Sequence, residues 1–315
     1  MHIARPKAAA NMLLPPIVPK ALERLRRSVR RSPKGSLRFD FRPEWALAPE
    51  GWSTSVGSNG WLDPSIVDTQ RQRWATYSDL ITGTGPLGFH LFTSGSITTS
   101  DESAHNVFMT FAYVVARAAL RRRELSILDW GGGIGYYALI AQRLLPEVAL
   151  DYVIKELPGL ADLGRELMPM VRFECEELRC FSRSYDLVLA SSSIQYSQNW
   201  RALLTQLATA ANEWLYIARV PIVRRAKSFV VVQRPYHYGY RTEYFSWVLN
   251  KDELLAHIGN QRLTLEREVL AGRTSRLRGA PESIENLGFL FRKQKTVDED
   301  ASLSAGPVGQ TQRLR

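Results

Sequence analysis

The chain has 315 residues, 45% hydrophobic and 23% charged, with a formal net charge of +10. That composition supports a packed core in one large decorated domain or two small ones. No apolar run approaches the ~20 residues that span a bilayer. The charge is local: residues 1–42 hold eleven Lys or Arg against two acids, Glu23 and Asp40. The remainder is close to neutral, which argues against a nucleic-acid partner, because groove binding needs a basic surface on the reading domain itself.

The basic N-terminal arm, residues 1–42, reads as a first segment. Pro15, Pro16 and Pro19 interrupt its apolar stretch and no small-residue cleavage site follows, so no signal peptide is expected; Met12 is an alternative start. Leu22, Leu25 and Val29 share one face of a helix over 19–31, with arginines on the others. A solvated basic helix is the plainer reading. Docking of residues 20–31 on an anionic membrane surface is the functional one. Cys175 and Cys180 are too few for a disulfide framework and have no His cluster near them in sequence. They read as reduced thiols in a cytoplasmic protein with no metal site.

Residues 43–123 read as a helical and irregular extension. Trp45, Trp52 and Trp61 lie in a Gly/Pro/Ser-rich stretch and need packing partners. Asp63 before Pro64 marks a helix start, with the helix running to about residue 79. Residues 82–99 read as loop. Thr99 with Glu102 has the spacing of a capping box. Val107, Phe108, Phe111, Val114, Val115 and Ala118 then recur at helical spacing up to the cations 121–123, which suit a helix C-terminus.

From residue 124 to 296 the pattern alternates. Strands are expected at 126–129, 149–154, 170–174, 185–190, 214–219, 263–270 and 286–292, and helices at 135–145, 157–168, 199–212 and 251–258. This predicts an α/β fold, a Rossmann-like, mostly parallel sheet of seven strands that ends in an antiparallel hairpin. The segment 221–248, after the fifth strand, reads as an aromatic-rich lid or an acceptor-recognition insert. Residues 297–315 are poor in apolar residues and lack a period, so disorder is expected there.

The chemistry concentrates after the first strand. Asp129-Trp130-Gly131-Gly132-Gly133-Ile134-Gly135 lies between a buried strand run and a helix, the context that gives a glycine loop meaning. Such loops admit a ligand close to the backbone, beyond the carboxyl ends of the strands. Gly133–x–Gly135–x–x–Ala138 also fits a dinucleotide fingerprint, so an NAD(P)-dependent oxidoreductase is the first rival. Against it, Asp129 is poorly placed beside a pyrophosphate and well placed to hydrogen-bond a cationic amino-acid group. Glu156, after the second strand, suits a pair of ribose hydroxyls; the alternative is a helix-start acid ahead of Pro158. Glu174, in the next turn, falls near where an adenine edge would lie. Ser191, Gln195 and Tyr196, after the fourth strand, face the same end of the sheet, or else cap the next turn.

With these residues the chain resembles class I methyltransferases that use S-adenosyl-L-methionine (SAM). Asp129, Gly131, Gly133 and Gly135 match their first motif. Glu156-Leu157-Pro158 is similar to the Asp-Leu-Pro of small-molecule O-methyltransferases, with Glu for Asp. More narrowly, residues 14–17, 129–133, 191–196, 232–235 and 247–249 resemble a methyltransferase family encoded in bacterial surface-polysaccharide gene regions. The resemblance implies SAM bound by Asp129, Trp130, Gly131, Gly132, Gly133, Gly135, Glu156, Leu157, Glu174 and Ser191. It implies a small-molecule or glycan-precursor acceptor near Gln195, Tyr196, Arg234 and Tyr236, where cationic and phenolic groups suit an anionic sugar or phosphate. His90 and His237, in loops, are the candidate bases for a hydroxyl acceptor. A SAM-fold scaffold without turnover remains a rival of another class, since no base is assignable outright.

Overall fold

The computed structural model describes residues 29–31, 37–39, 42–52, 59–91 and 97–294. The chain divides into two compact units, Met1–Glu44 and Trp45–Arg315. In the first, strand β1 (Val29–Arg31) pairs antiparallel with β2 (Leu37–Phe39). The helix expected over 19–31 therefore gives way to a strand at its last three residues. Its earlier part and the tail expected to be disordered lie outside the described residues.

The second unit is built on one sheet of ten strands. Seven of them stand in the expected arrangement: β4 (Glu124–Trp130), β5 (Ala149–Lys155), β6 (Arg172–Glu174), β7 (Tyr185–Ser191), β8 (Ala211–Val223), β11 (Leu263–Leu270) and β12 (Glu285–Lys293). Across the sheet they run β6-β5-β4-β7-β8-β12-β11, parallel except for β12, which is antiparallel to both β8 and β11. The order reverses between β4 and β7. In open α/β sheets ligands bind at such a switch point, beyond the carboxyl ends of the strands.

Helices cover both faces. On one side α1 (Pro64–Thr82), α2 (Glu102–Ala119), α3 (Tyr136–Leu144) and α4 (Pro158–Leu167) bury Tyr77, Phe108, Phe111 and Ile140 with the sheet residues Ile127 and Leu187. On the other, α6 (Trp200–Ala210) and α7 (Lys251–Gly259) bury Trp200, Leu204, Leu207 and Leu254 on Leu128, Val188 and Phe289. A one-turn helix, α5 (Glu177–Cys180), precedes β7. Among the described residues no helix is long and apolar enough to cross a membrane.

Local chemistry sets the helix starts. The Asp63 carboxylate accepts from the Ser65 N–H at 3.0 Å ahead of Pro64. At α2 the cap is Asp101, whose Oδ1 accepts from the Ala104 N–H at 3.0 Å, not the Thr99–Glu102 box read from the sequence. A carboxylate one residue before the helix outcompetes a hydroxyl three residues before it, because the cap must reach the third helical N–H. Asn250 caps α7 as expected, accepting from the Glu253 N–H at 3.0 Å.

The segment 221–248 is a second correction, because nearly half of it, at 221–223, 229–233 and 244–248, is sheet. Strand β8 runs past the end of β7 to Val223, and β10 (Tyr244–Asn250) pairs with its far end at Ile222 and Val223. Strands β9 (Phe229–Gln233) and β3 (Trp45–Leu47) extend the sheet from there. The handover follows Arg219, whose φ of 57° is left-handed. That conformation costs a non-glycine residue roughly 1 kcal/mol or more. The three tryptophans of the extension find their partners on this added sheet. Trp45 lies in β3, Trp52 stacks at 6.0 Å on Trp247, and Trp61 stacks at 4.4 Å on Tyr244.

Candidate functional site

The glycine loop leaves β4 at the switch point and enters α3. Asp129 lies one residue before the strand end and is 1% exposed. Its Oδ2 accepts from the Tyr152 hydroxyl at 2.9 Å. Its Oδ1 is buried and has no hydrogen-bond partner. Burial pushes its carboxyl up to about 7, helped by the Glu156 charge and opposed by the Tyr152 hydrogen bond. Gly132 folds directly over this group: a Cβ there would stand 2.5 Å from Asp129 Oδ2. No other residue type lets the loop close on the carboxylate.

Gly133 faces the other way. Its φ is +61° and nothing lies within 4 Å of where a Cβ would be, so a ligand can approach the bare backbone. Its N–H donates to Glu156 Oε2 at 2.9 Å, and Glu156 Oε1 accepts from the Leu157 N–H at 2.8 Å. Glu156 is 8% exposed, and burial raises its pKa against these two backbone donors. Each of its oxygens keeps a further lone pair. Glu174 closes β6 alongside, its carbonyl accepting from the Glu156 N–H at 2.9 Å. Gly131 donates its N–H to the Lys155 carbonyl at 2.9 Å, and Gly135, left-handed at φ 104°, opens α3. Trp130 turns its ring to the opposite core, stacked on Phe181 at 5.0 Å with Lys155 Nζ over it at 4.9 Å.

The turn after β7 lies beside this loop, since a Cβ on Gly131 would stand 2.6 Å from Ser193 Cβ. Ser191 Oγ lies 3.2 Å from the Tyr137 hydroxyl. Gln195 is buried and donates to Ser192 Oγ at 3.1 Å, while its Oε1 and the Ser193 hydroxyl lack partners. Tyr196 donates to Gln233 Oε1 at 3.0 Å. Arg234 and Tyr236 both engage Glu243, the arginine through Nε at 3.1 Å. Their charge and hydroxyl are committed to that carboxylate. The His90 ring lies 3.5 Å from the Asp101 carboxylate, and the His237 ring centroid lies 3.7 Å from that of Tyr238.

Asp129, Glu156, the four glycines and Ser191 thus converge at the carboxyl ends of β4, β5 and β7. Sequence reasoning missed Tyr152. The register supplies it: Asp129 pairs with Ile154, and Tyr152, two residues earlier, points to the same face. A cavity of about 320 Å³ beside Ser126, Asp151 and Asp186 opens at the amino ends of the same strands, the opposite edge of the sheet. There Asp186 is held by Arg122 and by the Ser126 N–H and hydroxyl.

No protein-family profile matches the sequence, and no curated protein sequence matches it. Solved structures do. Magnesium protoporphyrin IX methyltransferase from Synechocystis, crystallised with SAM, is 14% identical; the match covers 75% of this chain and 100% of that one at a TM-score of 0.43. A SAM-dependent methyltransferase from Clostridium acetobutylicum is 10% identical over 60% of this chain and 92% of that one, with a TM-score of 0.39. An amino pentose methyltransferase from Micromonospora echinaspora with SAM bound is 13% identical over 59% and 90%, with a TM-score of 0.38. At this distance the fold rests on the strand order described above, and the site on its own geometry.

Proposed function

We propose that this protein is a SAM-dependent methyltransferase acting on a small-molecule or glycan-precursor acceptor. The observation that carries the reading is Asp129 Oδ1, a buried carboxylate oxygen with no donor, beneath a loop that opens to a ligand at Gly133. An unpaired buried acceptor is costly, and a ligand ammonium relieves that cost. The amino-acid end of SAM supplies such a group. A pyrophosphate at the same place would meet a carboxylate, which disfavours the dinucleotide alternative.

When bound, SAM supplies an electrophilic methyl group on a sulfonium. The chain's residues bind and orient. Asp129, steadied by Tyr152, accepts the ammonium. Glu156, fixed by the Gly133 and Leu157 N–H groups, accepts the ribose hydroxyls through its remaining lone pairs. Ser191, Gln195 and Tyr196, at the end of β7, face the acceptor. His90 and His237 remain the candidate bases for a hydroxyl acceptor. The resemblance to the surface-polysaccharide family favours a glycan precursor and a cytoplasmic site of action, with residues 20–31 as a peripheral membrane contact. Calorimetric titration with S-adenosylhomocysteine (SAH) tests the reading. Micromolar binding that Asp129→Ala weakens about 100-fold supports it. No binding by the unaltered protein, or equal binding by the variant, overturns it.

A further inference from the structure

A second set of buried, incompletely bonded polar atoms includes the hydroxyl of Tyr136, the first residue of α3. Gln70, Arg73 and Tyr77 stand on one face of α1 at i, i+3 and i+7. That face is covered by the connection between β9 and β10. Arg241 donates its N–H to Ser65 Oγ at 2.8 Å, Thr242 donates its hydroxyl to the Gly60 carbonyl at 2.8 Å, and a Cβ on Gly239 would lie 3.0 Å from Thr69 Oγ1. Gln70 spends its Nε2 on the Tyr240 hydroxyl, and Arg73 spends Nη2 on the Tyr238 carbonyl at 2.9 Å. The Tyr136 ring packs at 5.7 Å against Tyr77 and at 5.2 Å against Trp74.

Three atoms of this set are buried without a hydrogen-bond partner: Arg73 Nη1, the Tyr136 hydroxyl and Gln70 Oε1. Gln70 is 5% and Tyr136 4% exposed. The Arg73 charge acts on both the Tyr136 and Tyr240 hydroxyls, so the guanidinium lies near both. No carboxylate pairs with Arg73 among the described residues, whereas Arg234 has Glu243. A buried guanidinium nitrogen with no counter-ion is a costly arrangement unless a ligand completes it.

We propose that Arg73, Tyr136 and Gln70 form the acceptor's recognition pocket and that the acceptor carries a carboxylate with a neighbouring hydroxyl, as in a sugar acid. Two donors, Arg73 Nη1 and the Tyr136 hydroxyl, match the two oxygens of one carboxylate. Gln70 Oε1, an acceptor, takes the adjacent hydroxyl. One positive charge neutralises a monoanion and leaves a phosphate dianion undercompensated. Tyr136 directly follows Gly135, so this pocket borders the glycine loop. Its role as an acceptor site rests on the methyltransferase reading; its ligand chemistry does not.

The test uses the full chain with and without SAH, titrated with glycolate, acetate, phosphate or chloride at constant ionic strength and followed by thermal shift and calorimetry. Glycolate is expected to raise the melting temperature saturably, at lower concentration than acetate, with chloride inert. Arg73→Met abolishes the response and Tyr136→Phe weakens it about fivefold, while both bind SAH within about twofold of the unaltered protein. An identical glycolate response in Arg73→Met and the unaltered protein overturns the proposal, as does a response matched by chloride, which would leave the three atoms to ordered water. Phosphate binding tighter than glycolate overturns the carboxylate assignment. If Arg73→Met fails to fold, the Tyr136→Phe curve decides. Glycolate binding that depends on Arg73 in a protein that does not bind SAH keeps the pocket and removes the methyltransferase reading.

Discussion

The glycine loop and the α1 face beside Tyr136 both bury polar atoms without partners, but of opposite kind. At the loop the open atom is an oxygen of the Asp129 carboxylate; at α1 it is a nitrogen of the Arg73 guanidinium. A cation would satisfy the first and an anion the second. They also differ in how they are built. The loop site comes from a contiguous strand–loop–helix unit and its parallel neighbours, paired over seven residues between β4 and β5. The α1 site joins residues 170 apart in sequence, Gln70 and Tyr240. Tyr136 directly follows Gly135 and so links the two regions along the chain; their opposite charges fit the proposed pairing of a cationic cofactor with an anionic acceptor.

The comparison can be broken at several points. The largest expected effect is Asp129→Ala, which removes the proposed seat of the ligand ammonium and weakens SAH binding about 100-fold, or about 3 kcal/mol, by calorimetry. Gly132→Ala comes next. Its Cβ, 2.5 Å from the Asp129 carboxylate, forces the loop away; SAH affinity falls and thermal unfolding shifts by about 2 kcal/mol of stability.

The pH dependence follows in size. With its carboxyl raised to about 7, ligand-free Asp129 is largely protonated below that pH, and a bound ammonium favours the ionised form. SAH affinity at pH 6 is therefore about tenfold weaker than at pH 8, levelling off above 7, and Asp129→Asn flattens the profile. Stability of the ligand-free chain runs the opposite way. A carboxyl raised on folding contributes stability that is present below its ordinary range and is lost as pH rises towards 7, so urea midpoints fall over that window and fall less in Asp129→Asn. Tyr152→Phe removes one hydrogen bond to Asp129 and costs about fivefold in SAH affinity. The smallest effect is at the other region, where Arg73→Met leaves SAH affinity within about twofold; a loss as large as that of Asp129→Ala would merge the two regions into one site.

The sequence made the loop region legible because its determinants are adjacent. Asp129 and the four glycines fall within seven residues, and each answers a local need: a turn, a close approach, an open face. Glu156 was readable because it directly follows the next strand. Tyr152 was not, since its role depends on inter-strand register. The added sheet was missed for a related reason. Between β8 and β9 the run Arg224-Arg225-Ala226-Lys227-Ser228 carries no Gly or Pro to mark a turn, and 234–243 is rich in aromatics that satisfy a lid as well as a strand connection. The partner of Arg234 and Tyr236, Glu243, was in plain view, but only folding shows that it takes both. The α1 pocket left no signal in spacing at all. Gln70 and Arg73 are polar positions of a helix whose partners come from the β9–β10 connection, far away in sequence.

Calorimetric titration of SAH into the unaltered chain and into Asp129→Ala at pH 8 is the most direct test of the account. It predicts micromolar binding by the first and about 100-fold weaker binding by the second. Absence of binding by the unaltered chain, or indistinguishable affinities for the two, would contradict it.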